Sequence, residues 1–210
     1  MSTRERILTA AAEVMRTKGL ARSTTKEIAR ASGFSEAALY KHFANQEELF
    51  LAVLGERLPS FIALLLNDLP ARVGRGTVRR NLQEVACAAV AFYGQVIPLS
   101  AALFSEPALL AHHRQILLQK SAGPHRAIEA LAAYIRGEQR AGRASPSVSP
   151  EAVSAMVLGA CFQRAWITLF LDKELRGRTV RRFAAAVVQG VMHGLSMEKG
   201  ERRCLHDTAC

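Results

Sequence analysis

The chain has 210 residues, and half of them are hydrophobic, which is enough for a sizeable core and for one or two domains. This composition excludes an intrinsically disordered chain. The formal net charge of +10 favours an anionic partner such as nucleic acid. However, residues 1–50 carry eight basic and six acidic side chains, so most of the excess lies in later segments. Charge alone therefore does not point to the N-terminus.

The cysteines are widely spaced and form neither a CxxC pair nor a zinc-type pattern, as expected for a reduced cytoplasmic protein. We expect Cys87 and Cys161 to be buried side chains rather than redox sensors. The N-terminus is charged and has no apolar run before a cleavage site, so no signal peptide is expected. The apolar stretches at 84–97 and 152–171 contain polar and charged residues, and we interpret them as buried helices rather than membrane spans.

Three capping signals predict three helix starts within the first fifty residues. Segments 2–5, 24–27 and 45–48 each place Ser, Thr or Asn three residues before Glu, which is the form of a capping box. Apolar residues then follow at helical spacing in the first helix, and Gly19 ends it as a C′ glycine would.

Segment 24–43 predicts two short helices joined by a sharp turn. Gly33 lies where the chain must reverse, and Ser35 is a candidate N-cap for the second helix. Leu39 and Phe43 are four residues apart, share one helix face, and are assigned to the core. Two such helices with a glycine-containing turn are typical of a helix-turn-helix unit, whose second helix lies in the DNA major groove.

The rest of the chain also predicts helices. A long helix from Asn45 through Leu65 should break near Leu58, because Pro59 interrupts its pattern. Pro98 is expected to end the next helix, and a polar tail should fray beyond residue 198. Further helices are predicted at 77–97, 99–105, 107–120, 124–142, 150–171 and 179–197. No strand pattern is present, so the predicted class is all-α.

The N-terminal motifs occur in a fixed order: Arg6-Ile7-Leu8, Gly19, Thr24-Thr25, Ile28-Ala29, Gly33-Phe34-Ser35, Leu39-Tyr40, His42-Phe43 and Glu47-Glu48-Leu49. In order and spacing this segment resembles the N-terminal domain of TetR-type transcriptional regulators. The resemblance covers about the first fifty residues. It implies an all-α homodimer whose last two long helices build a four-helix bundle. It also implies a small ligand within the C-terminal domain that weakens DNA binding.

The first residues of the predicted recognition helix are expected to contact the base edges of DNA. Ser35, Glu36 and Ala37 open this helix, and N-terminal residues of such helices reach base edges. Glu36 either accepts a hydrogen bond from a cytosine amino group or serves only as a helix-dipole partner. Ala37 is suited to a thymine methyl contact. Thr25, at the start of the preceding helix, is expected to bind phosphate, cap its helix, or do both.

Tyr40, Lys41 and His42 are interpreted as backbone contacts. Tyr40 would bind phosphate or pack on a sugar or base, and its alternative is a half-buried core aromatic. Lys41 and His42 would bind phosphate. Many relatives carry lysine where this chain has Gln46, which can hydrogen-bond but brings no charge. The salt dependence of DNA binding should then be shallower by roughly one unit per lost contact.

Two further sets of residues are predicted in the C-terminal part. A mostly apolar effector pocket is assigned to Phe92, Gln95, Phe104, Gln163 and Trp166, although many of these aromatics could simply be core. A dimer interface is assigned to Leu158, Phe162, Val187 and Val191, because the last two helices are apolar around much of their circumference. His112 and His113 are adjacent and point about 100° apart, so neither a metal site nor a cofactor is expected.

These observations predict a helix-turn-helix domain at 1–46, a helical effector-binding and dimerisation domain at 47–198, and a flexible tail at 199–210. The predicted function is a ligand-responsive repressor that binds a palindromic operator as a dimer. Double-stranded DNA, a small-molecule effector and a second copy are the expected partners, with no membrane. The alternative is a helical enzyme or a binding module without DNA contacts, but the chain has no nucleophile motif, phosphate loop or metal cluster.

Overall fold

The structure is a computed structural model that describes residues 1–19, 23–56, 59–119, 121–174 and 176–193. Within these ranges the chain is helical and contains no strand, which confirms the predicted all-α class. The helices are α1 (Thr3–Lys18), α2 (Thr25–Ser32), α3 (Glu36–Tyr40), α4 (Gln46–Glu56), α5 (Pro59–Ala63), α6 (Val78–Ser105), α7 (Pro107–Gln119), α8 (His125–Arg140), α9 (Pro150–Phe170) and α10 (Gly177–His193). The predicted tail at 199–210 lies outside the described residues.

The first two capping signals start helices as predicted, but only the first forms a complete capping box. The Glu5 N–H donates to Ser2 Oγ at 3.2 Å, and the Ser2 N–H donates to Glu5 Oε2 at 2.6 Å. At α2 the Glu27 N–H donates to Thr24 Oγ1 at 3.3 Å. The Glu27 carboxylate does not complete that box, since it forms an ion pair with Lys18. This pair ties the end of α1 to the start of α2.

At the third signal Asn45 caps the helix as predicted, although Glu48 reaches the residue before the cap, and the turn of the helix-turn-helix also forms as predicted. The Glu48 N–H donates to Asn45 Oδ1 at 2.7 Å, while the Glu48 carboxylate accepts from the Ala44 N–H at 2.5 Å. Gly33 adopts the left-handed conformation with φ of 75°, and Ser35 caps α3. Because an L side chain is strained at this φ, glycine is the residue that allows α3 to follow α2 so closely.

The break predicted near Leu58 lies outside the described residues. Helix α4 is described as far as Glu56 and α5 from Pro59 onwards. A π-helical turn at Leu64–Asp68 and a 3₁₀ turn at Pro70–Arg72 then lead into α6.

The prediction that Pro98 ends a helix is wrong. Helix α6 continues through Pro98 as a single 28-residue helix. Proline inside a helix costs about 3 kcal/mol. Beyond it, Leu99 and Leu103 are only 5% and 4% exposed, and burying two leucines contributes roughly 3–6 kcal/mol. Packing therefore outweighs the local penalty and keeps the segment helical.

Two hydrophobic clusters make up the core. The first joins α1–α4 with the end of α6 and the start of α7, and includes Ile7, Leu8, Ile28, Phe50 and Leu109. The second joins α5, α6, α8, α9 and α10, and includes Phe61, Leu65, Val85, Leu131, Tyr134 and Val157. Helix α6 is shared by both clusters, so it links the N-terminal helices mechanically to the rest of the chain.

Two of the helices, α6 and α9, are long and apolar enough to cross a membrane by length and composition alone. Both contribute side chains to the second cluster. Cys161 of α9 is buried there, and burial raises the pKa of its thiol to about 12. Burial also raises the pKa of the Cys87 thiol. Both thiols therefore stay protonated at neutral pH.

Candidate nucleic-acid interface

The recognition helix α3 is anchored by its inner face and free on its outer face. Leu39 is 2% exposed and Phe43 is 3% exposed, so both lie in the first core as predicted. The first-turn residues Ser35, Glu36 and Ala37 are exposed to solvent. Exposed residues Tyr40, Lys41 and His42 continue this surface at the end of the helix. The short helix thus exposes its outer face to solvent and buries Leu39 and Phe43 in the first core.

Two arginines of α1 support this unit, and sequence reasoning did not identify them. The Arg6 guanidinium donates to the Ser32 carbonyl at 3.3 Å and lies 4.7 Å above the Phe34 ring. The Arg4 guanidinium binds both carboxylate oxygens of Glu56 at 2.6 Å. These contacts join residues 26 and 52 positions apart, so local spacing gave no signal for them.

Three of the predicted DNA-contact residues form one hydrogen-bonded chain. The Thr25 hydroxyl donates to Glu36 Oε2 at 2.8 Å, and the Tyr40 hydroxyl donates to Thr25 Oγ1 at 3.5 Å. Thr25 is the first residue of α2 and Glu36 is the first residue of α3. The Glu36 carboxylate therefore links the starts of the two helices, a role that neither sequence interpretation had assigned to it.

The Gln46 side chain is half-buried and makes a contact inside the protein. Its amide donates to the Ser23 carbonyl at 2.8 Å and so fixes the loop before α2. Lys41 ends α3, and the His42 ring lies 6.5 Å from the Phe43 ring. Lys41 and His42 are thus exposed to solvent. The Gln46 amide, by contrast, is hydrogen-bonded within the protein.

Lys26 is an exposed cation beside Thr25 that the sequence analysis left out. Within the described part of the chain, no carboxylate lies within ion-pair distance of its ammonium group. By contrast, the Arg30 guanidinium pairs with Glu27 at 3.4 Å. The signal that could have identified Lys26 is its position in the first turn of α2, where backbone N–H groups already favour anions.

The residues predicted to line the effector pocket differ in how far they are exposed in the single chain. Phe92 is half-buried in the second cluster, with its ring 5.0 Å from Phe61. Gln95 and Gln163 are exposed. Phe104 is 72% exposed and Trp166 is 47% exposed. These four side chains lie on the outer surface of the chain.

The predicted interface residues divide between interior and surface. Leu158 is 3% exposed and packs inside the second cluster, so its side chain is not accessible to a partner chain. Phe162 is 47% exposed, and its ring meets that of Tyr93 edge-on at 5.4 Å. Val187 and Val191 are partly buried on α10. Leu158 is therefore reassigned to the core of the subunit.

No group of three or more His, Cys, Asp or Glu side chains that could hold a metal ion occurs among the residues the structure describes. The architecture is a helix-turn-helix head, with an exposed recognition helix, joined through α6 to a helical body. This combination defines the class as a helix-turn-helix DNA-binding protein.

Comparison with known protein families gives a match for the N-terminal domain. Residues 7–53 match the family model described as bacterial regulatory proteins, TetR family. The N-terminal domain is therefore similar to that of TetR-family regulatory proteins, as its motifs predicted.

Solved structures of similar fold span nearly the whole chain. The fatty acid degradation regulator FadR from Bacillus halodurans is 15% identical, with a TM-score of 0.70 over 94% of this chain and 98% of that one. FadR from Bacillus subtilis, in complex with stearoyl-CoA, is 17% identical with a TM-score of 0.70 over 91% and 99%. SmeT, the repressor of a Stenotrophomonas maltophilia multidrug efflux pump, is 16% identical with a TM-score of 0.65 over 95% and 93%.

Proposed function

We propose that the protein is a cytoplasmic, ligand-responsive repressor that binds a near-palindromic operator as a homodimer. The observation that carries this proposal is the exposed polar face of α3, held by Leu39 and Phe43 within a TetR-family N-terminal domain. Two copies of α3 would enter successive major grooves about 34 Å apart. The operator should therefore be close to a palindrome.

The exposed side chains divide into base and phosphate contacts. Ser35, Glu36 and Ala37 are proposed to face base edges, because they form the first turn of the recognition helix. The phosphate contacts are assigned to Thr25, Tyr40, Lys41 and His42. Gln46 supports them by fixing the loop before α2, through its hydrogen bond to the Ser23 carbonyl. The DNA-binding domain is taken as 1–46 and the effector and dimer domain as 47–198.

An exposed apolar surface on α9 supports the proposed dimer. Phe162, Trp166 and Phe170 recur every four residues along one helix face and are 47%, 47% and 74% exposed. The rings of Trp166 and Phe170 stack with centroids 5.2 Å apart. Three large neighbouring apolar side chains exposed in this way are typical of a surface that pairs with another chain.

The connection between body and head gives an effector a route to the DNA-binding unit. Leu103 at the end of α6 and Leu109 of α7 pack into the first core. His112 Nδ1 of α7 lies 2.8 Å from the Glu47 carboxylate of α4. A small, mostly apolar effector that shifted α6 or α7 would move the head, with a coupling of typically 1–3 kcal/mol. The stearoyl-CoA bound by Bacillus subtilis FadR has a long apolar chain and supports this choice of ligand class.

The test is a gel shift with the DNA upstream of the protein's own gene. Wild-type protein should shift this DNA at low salt, and Tyr40→Ala should weaken binding by at least about tenfold, because Tyr40 is 51% exposed on the DNA face. Tyr40→Phe separates the contribution of the hydroxyl from that of the ring.

Phe104→Ala is the matched control, since it truncates an aromatic side chain that is 72% exposed on α6 rather than on the recognition helix. Its affinity for DNA should equal that of the wild type. An unshifted operator, or an undiminished shift with Tyr40→Ala, would reject the interface as placed. The first result would favour a helical enzyme or a module that does not bind DNA.

A further inference from the structure

A basic concavity lies at the start of α6, remote from the recognition helix. It has a volume of about 300 Å³, is open to solvent, and is lined by Arg72, Arg75, Gly76, Arg80, Asn81 and Glu84. From Glu84 to Leu99, where α6 joins the first core, the helix rises about 22 Å. DNA binding by α3 therefore does not involve this concavity.

The lining carries more positive than negative charge. Residues 69–83 contain four arginines and neither Asp nor Glu. Glu84 is the acidic residue of the lining, and it binds both the Arg72 guanidinium and, at 3.1 Å, the Arg80 guanidinium. Within the described residues, no carboxylate lies within ion-pair distance of Arg75. The three arginines and one glutamate leave two uncompensated positive charges.

Buried polar groups hold the loop that carries Arg75. The Asn81 amide donates to the Arg75 carbonyl at 3.2 Å and to the Tyr134 hydroxyl at 2.9 Å. The Gly74 N–H donates to Glu138 Oε1 at 3.3 Å, and Glu138 is fully buried. Buried polar groups of this kind are costly unless they are paired, and these hydrogen bonds restrain the backbone of the loop. The loop backbone is therefore fixed in advance of any ligand.

A second contact fixes the other side of this loop. The Arg143 guanidinium donates to the Gly76 carbonyl at 2.6 Å, and the same side chain pairs with Glu138 at 3.1 Å. The backbone of residues 74–76 is thus anchored on both sides, while the Arg75 side chain points its charge to solvent without a partner. Such an arrangement reduces the entropy lost when a ligand binds.

The size and charge of the concavity favour a phosphate group as its ligand. Arginine guanidinium groups are planar forks that match phosphate oxygens in bidentate pairs. A phosphate group at neutral pH carries a charge of about −1.5 to −2, which balances the two uncompensated charges. A polar lining of this kind does not suit the apolar effector proposed for the body.

We propose that this concavity binds a dianionic phosphate group, either as free inorganic phosphate or as the phosphate of a small monoester. Arg75 supplies the free guanidinium, and Arg72 and Arg80 supply two more that are shared with Glu84. The site is separate from the DNA interface and does not depend on the proposed repressor function.

Isothermal titration calorimetry in phosphate-free buffer at constant ionic strength tests the proposal. Inorganic phosphate and glycerol 3-phosphate are titrated separately, and the tighter of the two identifies the source of the group. Arg75→Gln should weaken binding by at least about tenfold, as expected for loss of a charge-assisted bidentate pair. Glu84→Gln should strengthen binding, because it removes the competing carboxylate, and a misfolded site would not produce such a gain.

Arg79→Gln is the matched control, since it removes one charge from the same segment but Arg79 does not line the concavity. Its affinity for phosphate should fall much less than that of Arg75→Gln, because its side chain is not among those that line the concavity. Operator binding by Arg75→Gln should be unchanged. Absence of saturable binding of either anion, or equal affinity in Arg75→Gln, would overturn the proposal. Weaker operator binding in Arg75→Gln without phosphate binding would also overturn it, in favour of a second contact with DNA.

Discussion

At the residue scale, Glu36 places a negative charge within the proposed DNA interface. Its carboxylate accepts the Thr25 hydroxyl at 2.8 Å, so a negative charge lies beside a proposed phosphate contact. Coulomb repulsion from DNA phosphates must then be offset by a contact that only a carboxylate can make. A hydrogen bond from a cytosine amino group is such a contact.

We therefore predict opposite effects of Glu36→Gln on non-specific and operator DNA. Affinity for random-sequence duplex should rise severalfold at low salt, because the substitution removes a negative charge near phosphates. Discrimination at one G·C pair of each half-site should fall by about 1–3 kcal/mol. Competition gel shifts with single-base operator variants measure both effects. Uniform strengthening on every sequence would mean that Glu36 holds Thr25 and interacts with the helix dipole without reading a base.

Local patterns predicted which positions of α3 are exposed better than they predicted the contacts that these residues make. The exposed positions of α3 follow from helical spacing, because Leu39 and Phe43 define the inner face. The bond between Thr25 and Glu36 was not predicted, since it depends on how closely α2 and α3 approach. For the same reason no pattern within α1 predicts that Arg4 binds Glu56. Contacts between elements depend on tertiary geometry, which spacing along one element does not contain.

At the scale of elements, capping residues predicted helix starts and proline predicted helix ends less well. Ser2, Thr24 and Ser35 all cap the helices that follow them. A cap acts within one turn, so its effect is visible in the sequence. Helix α6 does not end at Pro98, because Leu99 and Leu103 beyond it are buried in a core built from residues distant in sequence. The effector pocket stays a prediction, since an apolar helix does not reveal in its sequence which of its faces lines a cavity.

Helix α7 gives a pH-dependent prediction through His113. Its Nδ1 is buried and, among the described residues, has no hydrogen-bond partner. Burial, followed by the neighbouring His112, holds the pKa of His113 below its usual value of 6.5. Below that pH the unfolded chain binds a proton more readily than the folded one. Stability should therefore be full above about pH 6.5 and fall as the pH drops towards the folded-state pKa.

We predict that His113→Gln flattens this fall between pH 6.5 and 5, as measured by urea unfolding at several pH values. One proton limits the slope contributed by His113 to about 1.4 kcal/mol per pH unit. His193→Gln, at an exposed position near the end of α10, is the control and should leave the slope unchanged. Equal slopes in the wild type and His113→Gln would show that His113 does not titrate differently in the two states.

At the scale of the whole molecule, the exposed apolar side chains of α9 and α10 support the proposed dimer. Met156, Phe170 and Met192 are 53%, 74% and 46% exposed, although they lie on helices whose other faces build the second core. Neither Gly159 nor Gly190 has an atom within 4 Å of where a Cβ would lie, so a neighbouring helix could approach the chain closely at both. The proposed dimer would bury this apolar area, and an isologous twofold arrangement is the simplest form that it could take. That twofold would also set the spacing of the two recognition helices.

Phe170→Glu should therefore convert the dimer to a monomer, because it places a charge in the proposed interface. The side chain is 74% exposed in the single chain, so folding of the subunit should be unaffected. Sedimentation equilibrium should report one chain of 22.9 kDa instead of two, and operator affinity should fall by at least about tenfold because each half-site then binds alone. Phe104→Glu is closely matched, since it makes the same substitution at a residue that is 72% exposed on α6. That variant should remain dimeric and bind the operator normally. If Phe104→Glu dissociates and Phe170→Glu does not, the twofold axis runs past the end of α6, and the spacing of the two recognition helices must be derived from that interface.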